Sequence, residues 1–334
     1  MSSQRFRCLL VEKSAAGEIS LQLTEHSREE LPPGDVLIQV RYSSLNYKDA
    51  LAASGNPAIA KTLPHVPGID AAGVVLESCD PRFRPGDEVI ATGHEFGVER
   101  WGGWSERLTS PANWLVPLPR GLSLLDAMTL GTAGFTAAQC VQALLHQGLT
   151  SDGGEIVVTG ATGGVGSLAV MLLHHLGFPV VAVTGKAERK DWLRSLGADR
   201  IEGRDLFTIT KPRPLQSALF AGGIDTVGGA TLSTLCTMIS HRGCVACCGM
   251  AGGADLQLTV FPFILRGLTL AGIDSAWCPD AERATIWNRL AGEWRLDQLV
   301  EIRRLVSLSE LSDCVTQILR GENTGRVVVD FEKS

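Results

Sequence analysis

A glycine-rich segment between a strand-like run and a helix-like run most constrains how this chain can fold. The stretch EIVVTGATGGVGSLAV has an apolar strand pattern, then glycines at positions 160, 163 and 166, then apolar residues at helical spacing. Small residues let the backbone turn tightly, so that N–H groups at the start of the helix approach a pyrophosphate. The order strand, glycines, helix predicts a dinucleotide-binding turn, in a G-x-x-G-x-x-G variant of the commoner pattern.

Strands and helices keep alternating after this segment. Strand-like runs at 179–185, 222–229 and 243–250 follow it, with a helix-like run at 187–198 after the first of them. Alternation of this kind is typical of a parallel sheet with helical crossovers. We therefore expect an α/β fold containing a doubly wound parallel sheet of the Rossmann type.

The two flanking parts of the chain have a different character. They contain short strand-like runs bounded by turn residues, such as 85–93 with its Pro-Gly turn and the final run 325–332. We expect a Rossmann domain at 125–260, inserted into a β-rich domain made of 1–124 and 261–334.

Composition excludes several classes of function. The chain has 334 residues, a formal net charge of −6 and nine cysteines. The negative charge disfavours a nucleic-acid partner, and no apolar run reaches the length of a membrane span. With an odd number of cysteines and no export signal, reduced thiols and a cytoplasmic location are expected. The run CVACC at 244–248 is interpreted as a buried strand rather than a metal site.

The end of the second strand, in VVAVTGKAERK, indicates which dinucleotide binds. An Asp or Glu at this point would accept hydrogen bonds from a free ribose 2′-hydroxyl, whereas a 2′-phosphate needs cations. Here the strand is followed by Lys186, and Arg204 comes after the presumed third strand. We predict NADPH as the cofactor. Arg189 and Lys190 are interpreted instead as part of a solvated helix face.

Several motifs resemble the medium-chain dehydrogenase/reductase superfamily: SSLNYKDALAASG, VPGIDAAGVV, GTAGFTA, VTGATGGVG and NTGRVVVDF. Others are most similar to its acryloyl-CoA reductases of the AcuI/YhdH type, also called quinone oxidoreductase-like proteins: DPRF, WGGWSE, NWLVPLP and FPFILRGLTLAGIDS. The resemblance runs nearly end to end. It implies a GroES-like fold for the β-rich domain and, by analogy of fold, a homodimer.

No metal is expected. The zinc alcohol dehydrogenases of this superfamily carry metal ligands where this chain has LNYKD and GID, and several close cysteines where it has none between Cys79 and Cys140. The GHE at 93–95 follows a different strand, so His94 is interpreted as a loop residue and His65 likewise. Without zinc to polarise a carbonyl, carbonyl chemistry is disfavoured.

The resemblance implies reduction of an activated carbon–carbon double bond. Hydride from NADPH would reach the β-carbon of acryloyl-CoA or a similar short 2-enoyl-CoA, giving propanoyl-CoA in the first case. The developing enolate needs a hydrogen-bond donor and a proton source. Tyr47 and Asn46 are the candidate catalytic residues, with Tyr47 as the donor and Asn46 holding the nicotinamide ribose or the substrate carbonyl. Asp49 is interpreted as a helix cap.

The residues assigned to the cofactor lie at the glycine turn, after the second and third strands, or at two positions that only the resemblance implies: Gly160, Ala161, Thr162, Gly163, Gly164, Val165, Gly166, Thr184, Gly185, Lys186 and Arg204, and then Thr136 and Asn323. Alternatives stay open for two of the assigned residues. Tyr47 could anchor its loop, and Asn323 could be a turn residue.

Two other functions also stay open. One is an NADPH-dependent quinone or enone oxidoreductase. The other is a protein that binds NADPH without turnover, as do the lens-crystallin relatives of this superfamily.

Overall fold

The computed structural model describes residues 5–208 and 213–333. Backbone contacts divide the chain into two compact units. The first comprises the chain up to Thr132, Ala276–Gly292 and the chain from Gln298 onward, and the second comprises Ala133–Ser275 and Glu293–Asp297.

The described residues form strands and helices with these bounds. The strands are β1 (Arg5–Lys13), β2 (Ile19–Ser27), β3 (Val36–Leu45), β4 (Asp70–Ser78), β5 (Glu88–Thr92), β6 (Arg107–Ser110), β7 (Leu115–Pro117), β8 (Ile156–Val158), β9 (Val180–Val183), β10 (Arg200–Glu202), β11 (Phe220–Asp225), β12 (Ile239–Cys247), β13 (Thr269–Gly272), β14 (Arg303–Val306) and β15 (Arg326–Asp330). The α-helices are α1 (Tyr47–Ala53), α2 (Leu124–His146), α3 (Gly164–His175), α4 (Lys190–Ser195), α5 (Gly229–Met238), α6 (Phe261–Arg266), α7 (Asp280–Ala291) and α8 (Leu311–Leu319). In the part of the chain described, no helix is long and apolar enough to cross a membrane.

The first unit is β-rich. β1 and β2 form an antiparallel hairpin, and seven strands form a sheet in the order β14-β15-β3-β4-β5-β7, with β6 also paired to β3. Its core contains fully buried aromatic side chains, among them Phe96 and Trp104. β15 runs antiparallel to β3, with Val327 opposite Leu45. This pairing brings the start of β15 beside the end of β3.

The second unit contains a six-stranded sheet in the order β10-β9-β8-β11-β12-β13, with every neighbouring pair parallel. β8 and β9 are short, rich in valine and fully buried, as expected for strands covered on both faces. This doubly wound parallel sheet confirms the predicted α/β fold class.

Two details differ from the sequence-based expectations. The second unit extends to Ser275, and β13 pairs with β12 downstream of residue 260, because a four-residue strand gives too short a pattern to assign from sequence. The helix expected at 187–198 is a 3₁₀ turn followed by the six-residue α4. Cys244 is buried within β12, as expected of a strand.

Candidate functional site

The first turn of α1 carries the two residues predicted to be catalytic. β3 ends at Leu45, Asn46 caps the helix, and Tyr47 is its first residue. The backbone N–H of Asn46 donates a 2.7 Å hydrogen bond to Asp49 Oδ2, closing a capping box. Asp49 is therefore a capping residue, in agreement with the sequence, and the cap determines where the helix begins.

Asp70, the first residue of β4, lies in a fully buried polar environment beside this turn. Its carboxylate accepts hydrogen bonds from Ser44 Oγ (2.6 Å), Asn46 Nδ2 (2.8 Å), Thr132 Oγ1 (2.6 Å) and the Thr132 backbone N–H (2.9 Å). α2 is kinked at Gly131, where φ is 51°. A Cβ at Gly131 would lie 2.5 Å from Asp70 Oδ2, so only glycine leaves room for the carboxylate.

Arg326, the first residue of β15, supplies the positive charge next to this carboxylate. Its Nη1 donates to Asn46 Oδ1 at 3.1 Å and its Nε donates to the Thr129 carbonyl oxygen at 2.9 Å. Its Nη2 lies 3.9 Å from Asp70 Oδ2 and has no hydrogen-bond partner among the described residues. We name Ser44, Asn46, Asp49, Asp70, Thr132 and Arg326 the Asp70 cluster.

Both ends of the Asn46 amide are bonded inside the Asp70 cluster. Nδ2 donates to Asp70 and, at 3.1 Å, to Asp49 Oδ2, while Oδ1 accepts from Arg326. The amide orientation is therefore fixed by a carboxylate on one side and a guanidinium on the other. The sequence predicts that this amide holds the nicotinamide ribose or the substrate carbonyl, whereas in the structure both of its ends bond to protein groups.

Asp49 is fully buried, and its Oδ1 accepts a 2.8 Å hydrogen bond from the backbone N–H of Ile69. Burial raises the pKa of Asp49 to about 7, and the negative charge of Asp70 acts in the same direction. Burial also lowers the pKa of Arg326, although the two carboxylates oppose this effect. A carboxyl group that exchanges its proton near neutral pH therefore lies two residues after Tyr47.

Tyr47 itself is accessible, with 49% of its surface exposed. The other tyrosine of the chain, Tyr42, is half-buried in β3, where burial and the charge of Asp330 raise its pKa. The two tyrosines therefore have different environments, and the accessible one lies at the start of α1.

Sequence reasoning missed Asp70 and Arg326. In the sequence, GID at 68–70 indicates only the lack of a metal ligand, and Arg326 falls within a predicted end strand. A signal was present, since each is a charged residue at the start of an otherwise apolar strand pattern. Charges at such positions are rarely buried unless they are paired.

The glycine turn lies between β8 and α3, as predicted. Gly160 has φ 59°, and a Cβ on Gly160 or on Gly166 would collide with Thr226 Oγ1 or with the Gly160 carbonyl, respectively. A Cβ on Gly163 would meet only the Gly160 carbonyl oxygen, at 3.3 Å. The turn therefore needs Gly160 and Gly166 for its own packing, whereas the space beside Gly163 suits a pyrophosphate.

The other residues assigned to the turn are buried next to it or begin the helix that follows it. Ala161 is buried and its N–H bonds to the Val183 carbonyl, while Thr162 Oγ1 lies 3.3 Å from Thr184 Oγ1. Gly164 and Val165 begin α3, a twelve-residue helix whose N-terminus has no side-chain cap hydrogen bond. Such an N-terminus favours an anion, so these residues fit the phosphate groups of a dinucleotide.

Lys186 and Arg204, the two residues assigned to a 2′-phosphate, lie close to one turn after β9. The backbone N–H of Lys186 donates to Thr184 Oγ1 at 3.0 Å. A Cβ on Gly185 would lie 2.5 Å from Arg204 Nε, so the Arg204 guanidinium lies directly over Gly185. The structure thus brings Lys186 and Arg204 to one turn, while Arg189 is exposed beside it.

The two cofactor positions implied by resemblance belong to different units. Thr136 is buried in the part of α2 that lies in the second unit. Asn323 lies in the first unit, where its Nδ2 donates to the Gly325 carbonyl oxygen at 3.2 Å. This bond is the one expected of a turn residue before β15.

His94 and His65 lie in loops of the first unit, as expected. The His94 ring stacks on Trp114 with centroids 4.9 Å apart and meets Trp277 edge-on at 5.9 Å. Burial lowers the pKa of His94 to about 4, helped by Arg283, and burial also lowers the pKa of His65. Among residues 5–208 and 213–333, no group of three or more His, Cys, Asp or Glu side chains could hold a metal ion.

Two family models match the chain. The alcohol dehydrogenase GroES-like domain matches residues 32–120, and the zinc-binding dehydrogenase family matches residues 164–289. These matches confirm the predicted GroES-like character of the β-rich part and its combination with a Rossmann-type sheet.

Three proteins are similar over nearly the whole chain. Acrylyl-CoA reductase AcuI of Ruegeria pomeroyi is 46% identical over 97% of this chain and 99% of its own. The putative quinone oxidoreductase YhfP of Bacillus subtilis is 46% identical over 98% of this chain and 99% of its own, and its NAD-bound crystal structure, covering 98% of this chain and all of its own, gives a TM-score of 0.96. The YhdH oxidoreductase of Salmonella enterica, in complex with NADP, is 45% identical over 97% of this chain and 99% of its own, with a TM-score of 0.94.

Sequence identities of 45–46% over nearly the whole chain include both units of the structure and show common family membership. The resemblance expected from sequence motifs is confirmed. The chain belongs to the acrylyl-CoA reductase (AcuI/YhdH) family of the medium-chain dehydrogenase/reductase superfamily.

Proposed function

We propose that this protein reduces the carbon–carbon double bond of acryloyl-CoA, or of a similar short 2-enoyl-CoA, with NADPH. The observation that carries the proposal is the 46% identity to AcuI over nearly the full length of both chains. The Asp70 cluster adds a chemical reason, because a carboxyl group with a pKa of about 7 lies in the same helical turn as an accessible tyrosine.

NADPH, when bound, supplies the hydride that adds to the β-carbon. The protein must then stabilise the enolate oxygen and deliver a proton to the α-carbon. We assign the first task to the hydroxyl of Tyr47, since a phenol O–H can donate a hydrogen bond to the enolate oxygen. Asp49, whose pKa is raised to about 7, provides a carboxyl proton in the same helical turn.

Asn46 contributes to the proposed reaction by holding Tyr47 in place. Its amide bonds Asp70 and Arg326 at once, so it fixes the first turn of α1 and with it the backbone of Tyr47. We therefore assign Asn46 a positioning role in place of the direct substrate or ribose contact expected from the sequence.

NADPH rather than NADH is proposed from the turn after β9. Lys186 and Arg204 lie there together, and Thr184 and Gly185 offer no carboxylate to a free 2′-hydroxyl. The relatives differ in this respect, since the YhdH structure contains NADP and the YhfP structure contains NAD.

One assay tests the reaction. Purified protein is mixed with acryloyl-CoA and either NADPH or NADH, and the loss of absorbance of the reduced nicotinamide is followed while propanoyl-CoA is measured by mass spectrometry. We expect fast NADPH oxidation with stoichiometric propanoyl-CoA and slow oxidation of NADH. Reduction of 1,4-benzoquinone but not of acryloyl-CoA would establish the second candidate, a quinone oxidoreductase, which the similarity to YhfP favours.

Two further outcomes concern the other expectations. Binding of NADPH without turnover of any enoyl-CoA, enone or quinone would establish the non-catalytic alternative. The homodimer and the cytoplasmic location stay predictions, and sedimentation equilibrium of the purified chain tests the first.

A further inference from the structure

The loops after β8 and β11 lie on either side of a reversal in strand order. From β8 the sheet continues to β9 and β10 in one direction, and from β11 to β12 and β13 in the other. In an open parallel sheet, such a reversal leaves a crevice at the carboxyl ends of the two central strands, where ligands bind. The glycine turn follows β8, and a loop that runs through 226–228 into the first residue of α5, called here loop 226–229, follows β11.

A buried carboxylate, Asp225, joins these two loops. It ends β11 and has no exposed surface. Its Oδ1 accepts a 2.7 Å hydrogen bond from Thr159 Oγ1, on the glycine-turn side. Its Oδ2 accepts a 2.6 Å hydrogen bond from the backbone N–H of Gly228, on the other side. One carboxylate therefore bonds both borders of the crevice.

Thr226 provides a second connection across the same gap. Its backbone N–H donates to Thr159 Oγ1 at 3.0 Å, and its own Oγ1 donates to the Thr159 carbonyl oxygen at 2.9 Å. Thr159 Oγ1 thus donates to Asp225 and accepts from Thr226 at once. The two loops are in contact as well as bonded, since a Cβ on Gly160 would collide with Thr226 Oγ1.

The bonding partners of Asp225 are uncharged. Within residues 5–208 and 213–333, they are a hydroxyl and the backbone N–H groups of Val227 and Gly228, and no Lys or Arg pairs with the carboxylate. Burial raises the pKa of Asp225, which these hydrogen bonds partly offset. A buried carboxylate without a counter-charge is costly to keep, so its retention at the crevice points to a task other than stabilising the fold.

We propose that Asp225 is a positioning residue for the dinucleotide: with Thr159 it sets the gap between the glycine turn and loop 226–229. The inference rests on the proposed function only in taking NADPH as the ligand. Under the proposed function the glycine turn holds the pyrophosphate that NADPH and NADH share, whereas Lys186 and Arg204, near the end of β9, hold the 2′-phosphate that only NADPH carries. Loosening the gap therefore weakens both dinucleotides equally.

Three variants test this inference: Asp225→Asn, Thr159→Val and Thr159→Ser. The dissociation constants of NADPH and NADH are measured by fluorescence of the reduced nicotinamide, kcat is measured at saturating NADPH, and folding is checked by circular dichroism and thermal melting. We expect Asp225→Asn and Thr159→Val to raise both dissociation constants at least tenfold, with an unchanged NADPH-to-NADH ratio and kcat within about threefold. Thr159→Ser keeps the hydroxyl and should bind as wild type does, within twofold.

Several results would overturn the inference. Folded Asp225→Asn and Thr159→Val proteins with wild-type dissociation constants would do so, as would a lowered melting temperature without a change in binding. If Thr159→Ser bound the dinucleotides as weakly as Thr159→Val, the loss of affinity would be due to lost packing and not to a lost hydrogen bond. Failure of the proposed function is separate, because a wild-type protein that binds NADPH tightly without reducing acryloyl-CoA leaves the inference intact, whereas one that binds no NADPH overturns both.

Discussion

Asp49 and Asp70 accept hydrogen bonds from the same amide nitrogen, Asn46 Nδ2, at 3.1 and 2.8 Å. Both carboxyl groups are fully buried, so their mutual repulsion is poorly screened. This proximity contributes to the raised pKa of Asp49, after burial itself. The negative charge of Asp70 therefore favours the protonated form of Asp49.

Replacing Asp70 tests this coupling. We expect Asp70→Asn to lower the pKa of Asp49 from about 7, since it removes the neighbouring negative charge, although burial keeps that pKa above its usual range. Carboxyl-carbon NMR titration of wild type and variant measures the shift directly. An unchanged Asp49 pKa in a folded variant would show that burial alone is responsible.

The pH dependence of stability should carry the signature of Asp49. Its pKa is about 7 in the folded protein and about 3.9 in an unfolded chain, so between these values the folded state holds the proton and the unfolded state does not. The contribution of Asp49 to the free energy of unfolding therefore falls as the pH rises through this window, by up to a few kcal/mol.

Urea denaturation of wild type and Asp49→Asn over this pH range isolates that contribution. His94 and His65 act in the opposite direction, because their pKa values are lowered by folding, but they are present in both proteins and cancel in the difference. A wild-type minus variant difference that does not vary with pH would contradict the raised pKa.

Tyr47→Phe tests the proposed donor. Loss of the hydroxyl should lower kcat at least tenfold, with the KM for NADPH unchanged within twofold and little effect on stability, since half of the side chain is exposed. Tyr42→Phe is the matched control, being the only other tyrosine of the chain and half-buried in β3. Turnover of Tyr47→Phe within twofold of wild type would eliminate the donor role.

Lys186→Glu tests the choice of dinucleotide. A carboxylate at this turn should repel the 2′-phosphate and raise the dissociation constant of NADPH at least tenfold, while that of NADH changes little. Arg189→Glu gives the control for net charge, because it makes the same change at an exposed position three residues away. Equal effects of the two variants would argue against the assignment of Lys186.

The sequence predicted the Rossmann-type sheet and its glycine turn because their patterns are local. β8, the turn and α3 follow one another within twenty residues, and the valines of β9 mark a strand buried on both faces. The sequence also singles out Lys186 and Arg204, since each comes shortly after a strand-like run.

The Asp70 cluster could not be predicted in the same way. Its members come from β3, α1, β4, α2 and β15, and the pairing of β3 with β4 and β15 brings three of these elements together. The burial of Asp49 and the direction of the Asn46 amide depend on that pairing as well, which is why the sequence assigned Asn46 to a ligand. The need for glycine at position 131 could not be predicted either, because it depends on the Asp70 carboxylate that lies beside it in the structure.

The link from Arg326 to the Leu45 carbonyl spans 281 positions of the chain. Contacts this distant in sequence form late in folding, because the entropy cost of closing a long loop precedes the stabilisation that the contact gives. During synthesis, the carboxyl groups of Asp49 and Asp70 therefore exist for most of the translation time without the cation that accompanies them in the finished protein. Arg326 follows Asp49, Asp70 and all of the second unit along the chain, so the Asp70 cluster can be completed only after that unit has been synthesised.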